Sequence, residues 1–378
     1  MPKRVGTAVL VALVITALTA GCSATSTPTS PSGSGASSVL PADTSAAPYV
    51  YTMSDGEEFH LADRIIQKVQ AGEPLNFVYS ISDAGQPVFS DAIKSGFEDG
   101  VATASDEVGY PITPRFIGPV GGGNEQQVAE IRSLLNADQI DALVFNAAQP
   151  GPFVDIINET MAAGVPVWGT GGDSPDSNRI GFFSLDEAAA GKLAGEAVAS
   201  WADANGIDVK KAALFTGDPA GPWAQSRMTG FVEGLTEGIP GVQFVNSVQD
   251  PFNTTFDFPT VYANATAFIN GNPDVQILFH TDQGVQMLGN AIADAGKTGQ
   301  VWAAGFNLSP QILDYIADGD IVTTVGQNWH GQASAAAEAA AQFIFEGVVV
   351  DGVNAADPYV VTKENLDEAR DVLANNGA

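Results

Sequence analysis

One cysteine, Cys22, stands in 378 residues, so an intrachain disulfide is excluded and the fold rests on its core alone. Cations are scarce as well, 15 Lys and Arg against 44 Asp and Glu, for a formal charge of −29. That charge repels phosphate backbones and anionic lipid surfaces, which excludes nucleic acid as a partner and points to a strongly solvated surface. The three histidines, His60, His280 and His330, show no metal-ligand spacing with one another or with the lone thiol. Asp314, Asp318 and Asp320 lack the ligand alternation and closing Glu of a calcium loop, and no G-x-S-x-G elbow occurs. No metal and no cofactor is expected. After the first 20 residues, no apolar run is long enough to cross a bilayer.

The beginning of the chain carries a different signal. Lys3 and Arg4 precede an apolar run from Val5 to Leu18, and Leu18-Thr19-Ala20-Gly21 leads directly into Cys22. This is the pattern of a lipoprotein signal over residues 1–21, cleaved so that Cys22 becomes a lipidated N-terminus outside the cytoplasm. Residues 22–48 are rich in Ser, Thr, Pro, Gly and Ala, bury too little apolar surface to fold, and read as a flexible tether. The sequons at Asn158, Asn253 and Asn264 have no role in such a route.

From there on, short β-rich runs alternate with amphipathic stretches, the pattern of an α/β fold built on parallel sheets. The spacing of Phe59, Ala62, Ile65, Ile66 and Val69 predicts an entry helix before a strand at Leu75 to Ser80. Strands follow at Ile112 to Ile117, Ala142 to Phe145, Val165 to Trp168 and Ile180 to Ser184. A second cycle has strands at Ala212 to Thr216, Val242 to Val248, Val275 to Phe279, Val301 to Phe306 and Ile321 to Val325. Two cycles imply two similar lobes, in keeping with a length that exceeds what one core supports.

In such sheets ligands bind beyond the carboxyl ends of the strands. The loops there hold Asp, Asn, Gln and Ser among Phe and Trp, a mixture suited to a neutral polyhydroxylated ligand with hydroxyls to bond and C–H faces to stack. Two glycine runs fit phosphate poorly: Gly121-Gly122-Gly123-Asn124 lacks the Lys-Ser/Thr of a phosphate loop, and Gly169-Thr170-Gly171-Gly172-Asp173 departs from G-x-G-x-x-G.

Several segments carry a resemblance. They are Gly85-Gln86-Pro87-Val88-Phe89, Ala163-Gly164-Val165-Pro166-Val167, the helix opening Gln225 to Phe231, Asn272-Pro273-Asp274-Val275-Gln276 and Ala304-Gly305-Phe306-Asn307. In their order and spacing, over about Leu75 to Lys363, the chain resembles the type 1 periplasmic binding proteins of sugar ABC transporters, the group of the ribose-binding protein. The resemblance implies two Rossmann-like lobes, 49–185 with 328–360 and 186–327 with 361–378, joined by three crossover strands near Asp186, Gln327 and Val360. It implies a ligand set of Ser80, Gln86, Phe89, Asn146, Asp173, Trp223, Gln225, Phe256, Asp282, Asn307 and Gln327, with Phe89 as a stacking platform. It departs from the ribose-like pattern after the fourth strand, where an Asp-Arg pair is replaced by Gly171 and Gly172 with Asp173 just beyond. It also implies a monomer that binds a sugar or polyol and hands it to a permease with its ATPase, without being an enzyme. Two alternatives stay open at this point: a nucleoside or quorum signal as ligand, and an anchored carbohydrate hydrolase using Asp173 and Asp282 as its carboxylate pair.

Overall fold

A computed structural model describes residues 47–85 and 87–376, with the backbone alone at 87–89 and 375–376. Cys22, the signal and the tether as far as residue 46 lie outside these residues. The described chain enters through a hairpin of β1 (Val50–Thr52) and β2 (Glu58–His60), then α1 (Asp63–Ala71). The first lobe follows with β3 (Leu75–Ser80), α2 (Pro87–Val108), β4 (Ile112–Ile117), α3 (Asn124–Asn136), β5 (Ala142–Phe145), α4 (Val154–Ala162), β6 (Val167–Thr170) and β7 (Gly181–Leu185). The chain then crosses into the second lobe: α5 (Glu187–Asn205), β8 (Lys211–Thr216), α6 (Pro222–Gly238), β9 (Gln243–Phe244), β10 (Phe252–Asn253), α7 (Phe258–Gly271), β11 (Ile277–His280), α8 (Val285–Asp294), β12 (Trp302–Phe306), α9 (Pro310–Asp318) and β13 (Ile321–Gly326). It returns for α10 (Trp329–Glu346) and β14 (Gly352–Ala356), and crosses once more for β15 (Tyr359–Val361) and α11 (Leu366–Asn376).

The first sheet runs β14-β7-β6-β5-β3-β4 and is parallel throughout. The second runs β10-β8-β11-β12-β13-β15, with β9 beside the first half of β8, and only β15 is antiparallel. Their inner strands are buried along their whole length, as expected where helices cover both faces. In each lobe the strand order reverses once, between β3 and β5 and between β8 and β11, and these reversals mark where a ligand crevice forms.

Four features depart from the sequence reading. Phe59 lies in β2 rather than in the entry helix, because its ring and that of Tyr51 pack on Phe343, with Tyr51 and Phe343 stacked at 3.9 Å. The strand expected at Val242 to Val248 is cut to the two residues of β9, and pairing with β8 resumes only at β10. At the break the Asn246 side chain replaces backbone pairing, accepting from the Leu214 amide at 2.9 Å and donating to the Leu214 carbonyl at 2.8 Å. The third crossover falls at Asp357 and Pro358 rather than at Val360, because Val360 is already paired with Val325 in the second sheet. Finally, the hairpin, β14, β15 and α11 have no counterpart in the periodicity.

The helices flanking the crossovers are joined along glycine seams. A Cβ on Gly191, Gly230 or Gly234 would collide with the carbonyl oxygens of Arg227, Ala188 and Lys192, so α5 and α6 touch backbone to backbone. Gly96 and Gly100 let α2 meet α10 in the same way, at His330 and Ser334. Interiors this tightly packed do not deform continuously, so each of these helix pairs forms one rigid unit. At the opposite end of the first sheet from the crevice, Asp141 is fully buried beneath Arg64, Lys68 and the Asn76 amide, which fixes α1 to β3 and β5.

Candidate functional site: a crevice between two lobes

Side-chain caps start the helices that leave the crevice. Asp186 accepts from Ala189 N at 2.9 Å, Asp257 from Thr260 N at 3.0 Å, Ser309 from Ile312 N at 3.1 Å and Asn328 from Gly331 N at 3.0 Å. Capping is thus carried mainly by residues other than the expected ligand set, which leaves most of that set to be placed by other contacts.

On the first-lobe side, Ser80 is enclosed rather than lining the crevice. Its hydroxyl and carbonyl both accept from the buried Gln127 amide at 3.1 Å, so it supports the strand end from behind. Asn146 is held at both ends, accepting from Ser82 Oγ at 3.0 Å and donating to the Thr170 carbonyl at 3.1 Å. Beside it Gly171, at φ +63°, has no space for a side chain, because a Cβ would strike the Trp329 ring and meet Asn146 Nδ2 at 2.7 Å. Trp329 therefore lies over the end of β6, presented by the second crossover. Gln86 and the Phe89 side chain lie outside what the structure describes.

Asp173 is committed elsewhere. The Arg179 guanidinium donates to both of its carboxylate oxygens, at 2.5 and 2.6 Å, and lies 5.3 Å from the Phe182 ring. The pair closes the loop between β6 and β7 and leaves this carboxylate unavailable as half of a hydrolytic pair.

The second-lobe side is aromatic and acidic. Trp223, in the first turn of α6, stacks on Phe256 with ring centroids 6.4 Å apart and planes at 25°. Phe256 is 65 % exposed and lies against the Gly217 backbone. It follows Thr255, a β-branched residue at φ +50°, where strain of about 1–3 kcal/mol is common near binding sites. Thr255→Gly should therefore stabilise the protein by roughly 1 kcal/mol in chemical unfolding, whereas lower stability would show that the lost bond from Thr255 Oγ1 to the Thr254 carbonyl outweighs the strain.

Asp282 follows β11 at the reversal of the second sheet, with its side chain 13 % exposed. It accepts from Gly217 N at 3.1 Å and Gly284 N at 2.9 Å, which fixes the carboxylate before any ligand arrives. Asn307, at φ +75°, accepts from the Gln327 amide, and Gln327 is itself buried at the second crossover. Gln225 is exposed and bonded to the Pro219 carbonyl at 3.0 Å. Three residues that sequence reasoning did not single out belong to this region: Arg179, Arg227 and Trp329. In a chain so poor in cations, an arginine in or just after a strand-end loop was the available signal for the first two.

Behind Asp282, His280 is fully buried. Its Nδ1 lies 3.3 Å from both the Asp282 amide and Asp282 Oδ1, and its Nε2 faces Thr254 Oγ1 at 3.1 Å. Burial lowers its pKa, opposed by the nearby Asp282 carboxylate. Above pH 6.5 the ring is neutral folded or unfolded and contributes nothing to pH dependence; below it the unfolded chain takes up a proton that the fold refuses. Stability should fall on acidification, by up to about 1.4 kcal/mol per pH unit from this group. His280→Gln should reduce the loss measured between pH 7.5 and 5.5, and an undiminished loss would assign it to other groups.

The periplasmic binding protein domain model matches residues 77–346. Among solved structures, the glucose-galactose binding protein GanP from Geobacillus stearothermophilus aligns at 21 % identity and a TM-score of 0.64, covering 78 % of this chain and 99 % of its own. The arabinose binding protein AraP of the same organism aligns at 20 % identity and 0.66, covering 78 % and 99 %. A solute binding protein from Bacillus halodurans C-125 with bound myo-inositol aligns at 20 % and 0.64, covering 78 % and 96 %. No curated protein matches the chain by sequence. With the domain model spanning most of both lobes, and with three crossovers joining two parallel sheets, the chain belongs to the periplasmic binding protein family and has its type 1 fold.

Proposed function

We propose that this protein is an extracytoplasmic solute-binding protein, anchored by a lipidated Cys22, that captures a neutral sugar or polyol between its lobes and delivers it to the permease of an ABC importer. The observation that carries this reading is the Trp223–Phe256 stack, with Phe256 exposed, beside the preorganised Asp282 carboxylate. A pyranose or cyclitol has hydroxyls for such a carboxylate and a C–H face for such a ring. Asn146, Gln225, Asn307 and Gln327 complete the polar lining, Trp329 adds a ring from the other side, and Gln86 and Phe89 are carried from the family resemblance. Asp173 acts through Arg179 as the brace of its loop, and Ser80 as the support of Asn146.

Neutrality of the ligand follows from charge. Arg179 and Arg227 are paired with Asp173 and Glu187, so among the described residues the lining offers no unspent guanidinium to a sugar acid or phosphate. The structural relatives that bind glucose or galactose, D-arabinose and myo-inositol support the same ligand class. The protein acts as a monomer, and the ligand leaves chemically unchanged.

A thermal-shift screen against pentoses, hexoses, polyols, sugar acids, amino acids and nucleosides tests this reading. Ligand at about 100 times its Kd stabilises by about 2.7 kcal/mol, a shift of several degrees, expected for one neutral sugar or polyol. A shift confined to nucleosides, amino acids or sugar acids would overturn it.

A further inference from the structure

We infer that Arg227 is a positioning residue that couples the occupied crevice to two of the three crossovers. Its side chain is 4 % exposed, and each of its bonds has a distinct address. Nε donates to Glu187 at 2.6 Å, one residue past the first crossover. Nη2 donates to Gln327 at 2.7 Å, on the second crossover. Nη1 donates to the Thr281 carbonyl at 2.9 Å, in the loop that carries Asp282. The faces of the guanidinium are used as well, with Phe306 at 4.2 Å and Trp223 at 5.0 Å.

A planar, permanently charged fork held at this many points has one position for a given arrangement of its partners. Trp223 forms part of the proposed ligand platform, so a ligand pressing on its ring bears on the guanidinium stacked with it. A displacement there must be shared with Glu187 and Gln327, and through Gln327 with Asn307. The glycine seams make each helix pair one rigid unit, so the crossovers beside them are where such a displacement is absorbed. A ligand shifts a conformational equilibrium only through contacts that differ between states, and this node supplies a physical element that changes between them.

The inference rests on the proposed sugar capture, but its test does not need a ligand. Donor and acceptor dyes are placed on Glu125→Cys and Ala293→Cys, one in each lobe, in the full chain carrying Cys22→Ser, and the interlobe distance distribution is recorded without sugar. Glu187→Gln, Arg227→Lys and Trp223→Ala should each shift or broaden it, and the Glu187→Gln/Trp223→Ala double variant should change it no further than the larger single change, since both act on one node. With a sugar that binds the parent protein, Glu187→Gln should weaken binding at least tenfold although Glu187 lies outside the proposed lining. Distributions identical to the parent, or additive changes, would overturn the coupling. A merely structural role would lower the melting temperature and leave the distribution and the affinity in place. Failure of the parent to bind any sugar would instead count against the proposed function, and the ligand-free distributions would still decide the coupling.

Discussion

Replacing Asp282 by alanine is expected to weaken sugar binding by ten- to a hundredfold, with a modest fall in the melting temperature of the free protein. A hydroxyl bonded to an ionised carboxylate gains about 1.5–3 kcal/mol, and each 1.4 kcal/mol is a factor of ten in Kd. The carboxylate is fixed in advance by the Gly217 and Gly284 amides, so no ordering cost reduces that gain when the ligand arrives. The Gly217 and Gly284 residues are themselves buried, so losing their acceptor accounts for that modest fall. Asp282→Asn should fall between, because it keeps an acceptor and loses the charge. Titration calorimetry on the three proteins measures the effect, and an alanine variant binding as the parent does would remove Asp282 from the ligand set.

The largest stability effect is expected from Gly230→Val. A Cβ at Gly230 would fall on the Ala188 carbonyl oxygen, with the Lys192 amide at 2.7 Å, and both contacts are backbone on a helix that cannot retreat without leaving its sheet. Flexible side chains absorb overpacking at about 1–3 kcal/mol; a collision between two backbones exceeds that, and a loss above ~4 kcal/mol is expected. Urea unfolding should show the midpoint collapse or the second lobe fail to fold. A valine variant within about 1 kcal/mol of the parent would mean that α5 and α6 have slack the structure does not show.

The parallel strands were legible because burial on both faces makes them continuous apolar runs with turn residues at their ends. β3, β4 and β5 fall at the residues expected, and the helix after β3 begins at Pro87. The β9–β10 break was hidden because Asn246 satisfies the backbone by a side chain, which no periodicity reports. β14 was missed because this edge strand buries little: Val353 is 66 % exposed, and its neighbours show no apolar run. The site was legible in its loops and less so in its atoms. Trp223 stacks on Phe256, but the enclosure of Ser80 by Gln127 depends on a contact between elements 47 residues apart, and the pairing of Asp173 with Arg179 on the path of the loop between β6 and β7. The role of Arg227 was not visible for the same reason, as its partners lie 40, 54 and 100 residues away in sequence.

The central claim is reversible capture of a neutral sugar or polyol without chemistry, and it is tested most directly by calorimetric titration followed by recovery of the ligand and its proton NMR spectrum. The account predicts saturable one-to-one binding of a neutral sugar or polyol, recovered unchanged after prolonged incubation. A ligand returned hydrolysed or otherwise altered, or no saturable heat with any neutral sugar or polyol, would contradict it.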